Sequence, residues 1–193
     1  MTFNREPEPG LVHVIGFQGS QSGGKFTVNL GIYVREIDVM FDDWWGRRGK
    51  AGEPGRDGAV REEVCWLRAR LGRLGPEGDR EDKWWGYEEP AAAAADVRDR
   101  FLYHAEPAFA QAKNRAALLS QWDRRQSSPG SETSWPWRIE RRAPLGYAVL
   151  LKAIGRVDDA RRVVNEVSAR SLGTPFHSVV EVFAEDLGLA PAE

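Results

Sequence analysis

The segment Gly19-Ser20-Gln21-Ser22-Gly23-Gly24-Lys25 matches the opening of a phosphate-cradling loop, G-x-x-x-x-G-K, in which backbone N–H groups and a lysine hold an anion. Its neighbours oppose that chemistry. Phe26 stands where a magnesium-binding Ser or Thr belongs, and the residues that follow alternate as a strand, so no helix N-terminus faces the loop. A hairpin loop is the expectation. His13, His104 and His177 have none of the short spacings that pre-position metal ligands, and Glu36, Asp38, Asp42 and Asp43 lack the glycine and closing glutamate of a calcium loop. No metal or cofactor is expected. Cys65 falls on the apolar side of an alternating segment, where a thiol behaves as a small core residue, and Ser20 and Ser22 have no nucleophile-elbow context. No catalytic residue is assigned.

What remains is a polar sheet face. In residues 25–34, Phe26, Val28, Leu30, Ile32 and Val34 share one side, leaving Thr27, Asn29, Gly31 and Tyr33 on the other. Residues 64–71 alternate too, with Cys65, Leu67, Ala69 and Leu71 opposite Trp66, Arg68 and Arg70. Arginines beside an aromatic ring and carboxamides suit a carboxylate, a phosphate or an acidic protein segment. The candidate binding residues are therefore Gln18, Asn29, Tyr33, Trp66, Arg68 and Arg70. Two plainer readings stand beside this one: a solvated sheet face, or a structural pairing of Arg68 and Arg70 with Glu181, Glu185 or Asp186.

These residues need a sheet to position them. Residues 2–5 read as a short strand, the prolines and glycine of 6–10 as a turn, and residues 11–18 and 25–34 as an antiparallel hairpin joined by residues 64–71. Between these strands Gly46, Gly49, Gly52, Gly55 and Gly58 recur at every third position, too few triplets for a collagen helix, and a mobile charged loop is expected. The second half changes to a helical period. Val97, Phe101 and Ala105 share a face up to a break before Pro107, and residues 116–122 continue as another helix. Residues 126–136 read as a surface connection whose Trp135, with Trp137, docks back onto the body. Residues 145–154 and 157–167 form a hairpin of helices around Gly155, and Thr174-Pro175 looks like a cap before a last helix. The spacing of Leu151, Gly155, Val157, Ala160 and Val164 matches part of one tetratricopeptide unit, which has no second copy to stack on. Strands first and helices afterwards make the fold class α+β: a small antiparallel meander with helices packed on it.

Composition bounds the rest. The chain has 193 residues, 41% hydrophobic and 29% charged, with eight Trp, eight Phe and four Tyr, enough for a sizeable core without staples. No apolar run nears the roughly 20 residues that cross a bilayer, and Met1 to Glu8 does not lead into a signal-like stretch, so neither membrane insertion nor export is expected. A single cysteine suits the reducing cytoplasm. A net charge of -2 argues against a broad nucleic-acid grip. The basic stretch 111–142 and the acidic tail after Arg170 are expected to attract one another rather than mark a site.

Val14-Ile15-Gly16-Phe17-Gln18, Lys25 through Tyr33, Cys65 through Gly72 and Trp84-Trp85 resemble, in order and spacing, the bacterial family catalogued as domain of unknown function 4304. The resemblance covers residues 1–125 and implies a small antiparallel sheet with helices, but no known activity. Residues 126–142 then read as a connection and 143–193 as a helical extension on the same body. The expected function is a cytoplasmic binding or interaction module, of a toxin-neutralising or defence-locus kind, with a protein partner or a small anionic ligand. The alternative is an enzyme acting on a small anionic or nucleotide-like substrate at the Gln18, Asn29, Arg68 and Arg70 face.

Overall fold

The computed structural model describes residues 1–45, 59–74, 82–127, 137–139 and 143–189. The glycine-periodic stretch of 46–58 and Trp135 lie outside the described residues. Strands β1 (Thr2–Glu8), β2 (Leu11–Gly19) and β3 (Lys25–Val34) form an antiparallel meander. Pro9-Gly10 turns the first pair: proline pre-sets one dihedral and Gly10, at φ 78°, takes the left-handed one. Between β2 and β3 the phosphate-loop look-alike is a hairpin loop, closed by a 2.8 Å bond from Ser20 N–H to the Lys25 carbonyl, with Gly23 and Gly24 both at positive φ. β4 (Leu67–Arg70) and the short β5 (Trp85–Gly86) both pair with β3, and β6 (Arg138–Ile139) pairs with β4. The path runs β1-β2-β3-β4-β6.

One face of this sheet carries the main core. Leu11, Val28, Leu30, Ile32 and Leu67 are buried there with Phe109, Leu118, Trp122, Leu150 and Phe183 from the helices. Each such side chain contributes about 1.5–3 kcal/mol on leaving water. The helices are α1 (Arg35–Trp45), α2 (Pro90–Arg100), α3 (Glu106–Ala110), α4 (Arg115–Ser127), α5 (Ala143–Ala153), α6 (Val157–Ser171) and α7 (Phe176–Asp186). The antiparallel sheet followed by helices is the α+β class expected. The other face is not left to solvent throughout, because residues 59–65 lie over it and Val12, Val14, Tyr33 and Cys65 make a second, smaller cluster.

Several local expectations change for identifiable reasons. The strand expected over 64–71 is limited to β4 by a 3-10 turn on each side, at Glu62–Val64 and Leu71–Arg73, so strict alternation starts only at Leu67. Cys65 and Trp66 consequently exchange sides: the thiol joins the small cluster and the indole enters the main core. No break precedes Pro107. The chain continues from α2 to α3 through a π turn at Phe101–Ala105, where the Glu106 N–H reaches back to the Phe101 carbonyl. Proline lacks the N–H an α turn would need, and the wider turn absorbs that gap. Thr174 does not cap α7, since its hydroxyl donates to the Ser171 carbonyl at 2.7 Å. Asn114 does cap α4, its Oδ1 accepting the Ala117 N–H at 2.8 Å.

The joints between halves are specific. Trp66 stacks on Trp122 with centroids 5.4 Å apart, and Trp122 stacks on Tyr147 at 5.1 Å, joining the residue that leads into β4 to α4 and α5. Gly146 makes this crossing possible: a Cβ there would stand 2.5 Å from the Trp66 indole nitrogen. Trp137 docks as expected and packs on Phe109 at 5.4 Å. Arg115 pairs with Glu8 at 3.2 Å and Glu36 at 2.7 Å, so this residue of the basic stretch meets acids of the first half, not of the tail.

Candidate functional site

The structure distributes the six sequence-derived candidates among different tasks. Gln18 and Asn29 meet: the Asn29 side-chain amide donates to Gln18 Oε1 and to Glu62 Oε1, both at 2.9 Å. Glu62, which the sequence reading did not include, lies over Gly16, where an added Cβ would be 2.5 Å from its carboxylate. Arg70 sits opposite Asn29 across the β3–β4 pair, ion-pairs with Asp82, and has Trp84 5.8 Å below its guanidinium. Arg68 is half-buried opposite Gly31. Tyr33 donates its hydroxyl to Asp38 at 2.9 Å, away from that group. Trp66 leaves this face altogether for the stack on Trp122. Gln18, Asn29 and Glu62 thus form one hydrogen-bonded group and Arg70 with Asp82 an ion pair on the neighbouring strand, so two carboxylates stand among the groups meant to receive an anion.

A second concavity lies on the opposite face, at the end of the sheet where α2 crosses it. Phe3 from β1, Ile15 and Phe17 from β2, Phe26 and Val28 from β3, Tyr87, Ala94 and Val97 from α2, and Phe101 from the π turn after it line a partly open space of about 390 Å³. Alternation explains the sheet half of this lining, because Phe3 pairs with Ile15 and Phe17 with Val28 across neighbouring strands and all four point the same way. The rings hold one another. Phe17 contacts Phe3 at 6.1 Å and Phe26 at 6.0 Å, and Phe26 stacks on Tyr87 at 5.4 Å and Trp85 at 5.8 Å. Phe3 and Tyr87 keep about half of their surface in solvent, 51% and 56%, which is unusual for rings so close to a core. Trp85 is in turn fixed by its indole N–H donating to Asp96 at 2.6 Å. Burial favours the neutral form of Asp96, but hydrogen bonds from Lys83 and Trp85 and the charges of Lys83 and Arg100 outweigh it and hold the carboxyl below its ordinary range. Arg98 is the one charged side chain lining the cleft among the described residues.

Residues 1–111 match the family model described as domain of unknown function 4304 (DUF4304), more than half of the chain. The chain belongs to this family. No curated protein and no solved structure matches it. The match ends at residue 111, before α4 begins. Every residue lining the cleft lies inside the DUF4304 segment. Trp122 and Tyr147, by contrast, lie beyond it and carry the stack on Trp66.

Three further clusters in this DUF4304 protein have structural explanations. His13 is buried on β2, stacked on Phe109 at 4.5 Å, with Nε2 3.0 Å from the Ala112 carbonyl and Nδ1 3.2 Å from Arg5. Burial pulls its pKa below the ordinary value and Arg5 adds to this, against the bond to Ala112, so a neutral ring donating from Nε2 and accepting at Nδ1 fits both partners. At the α6–α7 junction, His177 Nδ1 lies 3.3 Å from Ser171 Oγ and 3.4 Å from Ser168 Oγ, while Nε2 is 3.3 Å from Glu181. This resembles a serine–histidine–acid relay by residue type only. The Ser171 hydroxyl donates to the Ser168 carbonyl at 2.8 Å and is buried, so its proton is committed to closing the helix junction. The Cys65 thiol is buried over Gly31, and burial, with the nearby Glu62 charge, raises its pKa well above the usual thiol value. A protonated, enclosed thiol is a poor nucleophile.

Proposed function

We propose that this chain acts by binding rather than by turnover, and that its recognition surface is the aromatic cleft between the β1–β3 end of the sheet and α2. One observation carries this reading: a concavity of about 390 Å³, lined by rings that brace one another and remain partly in solvent. Apolar clefts of a few hundred Å³ with few polar groups are the usual form of a small-ligand site. A non-catalytic module of this kind suits a toxin-neutralising or defence-locus component in a bacterial cytoplasm, and the single buried thiol is compatible with a reducing compartment. The competing reading, an enzyme for a small anionic substrate at the polar face, has less support. An anion there would have to displace Asp82 from Arg70 and approach the Glu62 carboxylate.

The two readings are separated by mapping amide shift changes across the whole chain during titration with a library of small apolar and anionic fragments. Binding at the cleft moves the amides of Ile15, Phe17, Phe26, Val97 and Phe101. Changes confined to Gln18, Asn29, Arg68 and Arg70 would overturn the cleft reading in favour of the polar face.

A further inference from the structure

We infer that the occupant of the cleft is a small anionic amphiphile, with its chain among Phe17, Phe26, Val28 and Val97 and its carboxylate-like head held by Arg98; this rests on the cleft reading above. Three features fix the class of ligand. The walls come from β1, β2, β3, β5 and the residue after it, the turn at Leu71, α2 and the π turn, so among the described residues the space is a groove open on one side and bounded mainly by framework elements. The interlocked rings cannot all turn inward to fill it, since Phe26 is committed to Phe17, Tyr87 and Trp85 at once. A long apolar body therefore finds preformed space, at no cost in opening it.

The head group follows from charge. Arg98 is the only charged residue of the lining among the described residues; the lining itself is apolar, so the stem of Arg98 belongs to the wall and its guanidinium, 69% exposed, stands at the rim, and neither Asp96 nor Asp99 lines the cleft. The guanidinium does have a partner, since its Nε and Nη2 both donate to Asp99 Oδ1, at 3.0 and 2.8 Å. That pair is 69% and 52% exposed, so it is solvent-screened and weak. A ligand carboxylate at the rim, its chain in the cleft, can accept from this planar guanidinium in exchange for Asp99, and the exchange costs little because the pair it replaces is solvent-screened. A cationic head would meet Arg98 at the same place and be repelled.

Dodecanoate, dodecanol and dodecylammonium share one chain and differ in the head, and they can be ranked by displacement of anilinonaphthalene sulfonate from the full-length protein. The expected result is saturable one-to-one binding, with dodecanoate at least about tenfold tighter than dodecylammonium and dodecanol between them. Arg98→Ala should weaken dodecanoate by about tenfold and leave dodecanol unchanged. Ala94→Trp, which projects an indole into the cleft from an exposed helix position, should abolish all three while the melting temperature stays within a few degrees. If dodecanoate and dodecanol bind the wild type equally, or if Arg98→Ala weakens both alike, the anionic head is refuted and the cleft reading stands. If no chain binds while fragment shifts still map to the cleft, the amphiphile is refuted alone; if fragments fail there as well, both fall. Binding that survives both variants would place the ligand elsewhere.

Discussion

Replacing Trp122 by Ala tests whether the DUF4304 segment and the helices beyond it are one cooperative body. The indole is 2% exposed and covered on both faces, by Trp66 at 5.4 Å with the planes 17° apart and by Tyr147 at 5.1 Å and 18°. Removing a buried Trp costs about 3–5 kcal/mol through lost transfer energy and the cavity left behind. Two stacked pairs, each worth about 0.5–1.5 kcal/mol beyond area, place this site at the upper end. In a chain of this size 1 kcal/mol moves the midpoint by roughly 2–4 °C, so a fall of about 8–20 °C is expected. Differential scanning calorimetry on the full chain is the assay, and the transition should remain single, with calorimetric and van't Hoff enthalpies equal, because sheet and helices lose the same partner. Trp122→Phe should recover part of the loss. A drop under about 2 °C, or an unshifted main transition accompanied by a separate early one from the C-terminal helices, would refute the argument that this stack couples them.

The other expectations are shorter. His13 is held neutral in the fold by burial, so its folded pKa lies below the unfolded value. The unfolded chain then binds the extra proton first, and stability should fall as pH drops below about 6.5, an effect that His13→Gln should flatten in melting curves between pH 7 and 5. Gly31→Ala would put a Cβ against the Cys65 thiol and 2.8 Å from the Cys65 Cβ, both buried, and should cost about 1–3 kcal/mol in urea unfolding, with Cys65→Ala restoring part of it. Native Cys65 should react with Ellman's reagent far more slowly than in denaturant, because its thiol is enclosed and its pKa raised; immediate reaction in buffer would contradict that burial.

Much of this architecture was legible in residue types, and the exceptions have physical causes. The alternation of Phe26 through Val34 specified β3 and its core face, and Phe26 in place of Ser or Thr ruled correctly on the preceding loop. Asn114, before the helical run Arg115-Ala116-Ala117-Leu118, is a cap legible in the residue types alone. Alternation alone puts Trp66 on the polar face, but the strand begins only at Leu67, after the 3-10 turn at Glu62–Val64, and before that point successive side chains are not bound to alternate. Glu62 gave no signal of its own, since its role depends on a bare Gly16 forty-six positions earlier. The cleft was invisible for a different reason. Phe26 and Phe101 lie on faces that alternation and helical period give to the core, and they become walls only because α2 crosses the end of the sheet at a distance that leaves a groove between them.

The π turn at Phe101–Ala105 bears on how this segment tolerates changes in length. From Pro90 to Ala110 the backbone holds one residue more than an α-helix with the same hydrogen-bond ladder would, and the surplus is stored in that single turn. Elsewhere in a helix, deleting a residue rotates everything downstream by about 100°. Here a deletion, combined with an N–H donor in place of Pro107, converts the turn back to regular α geometry. Phe101 would still face the cleft and Phe109 would still cover His13, so the cleft wall and the buried histidine tolerate the loss of a residue together.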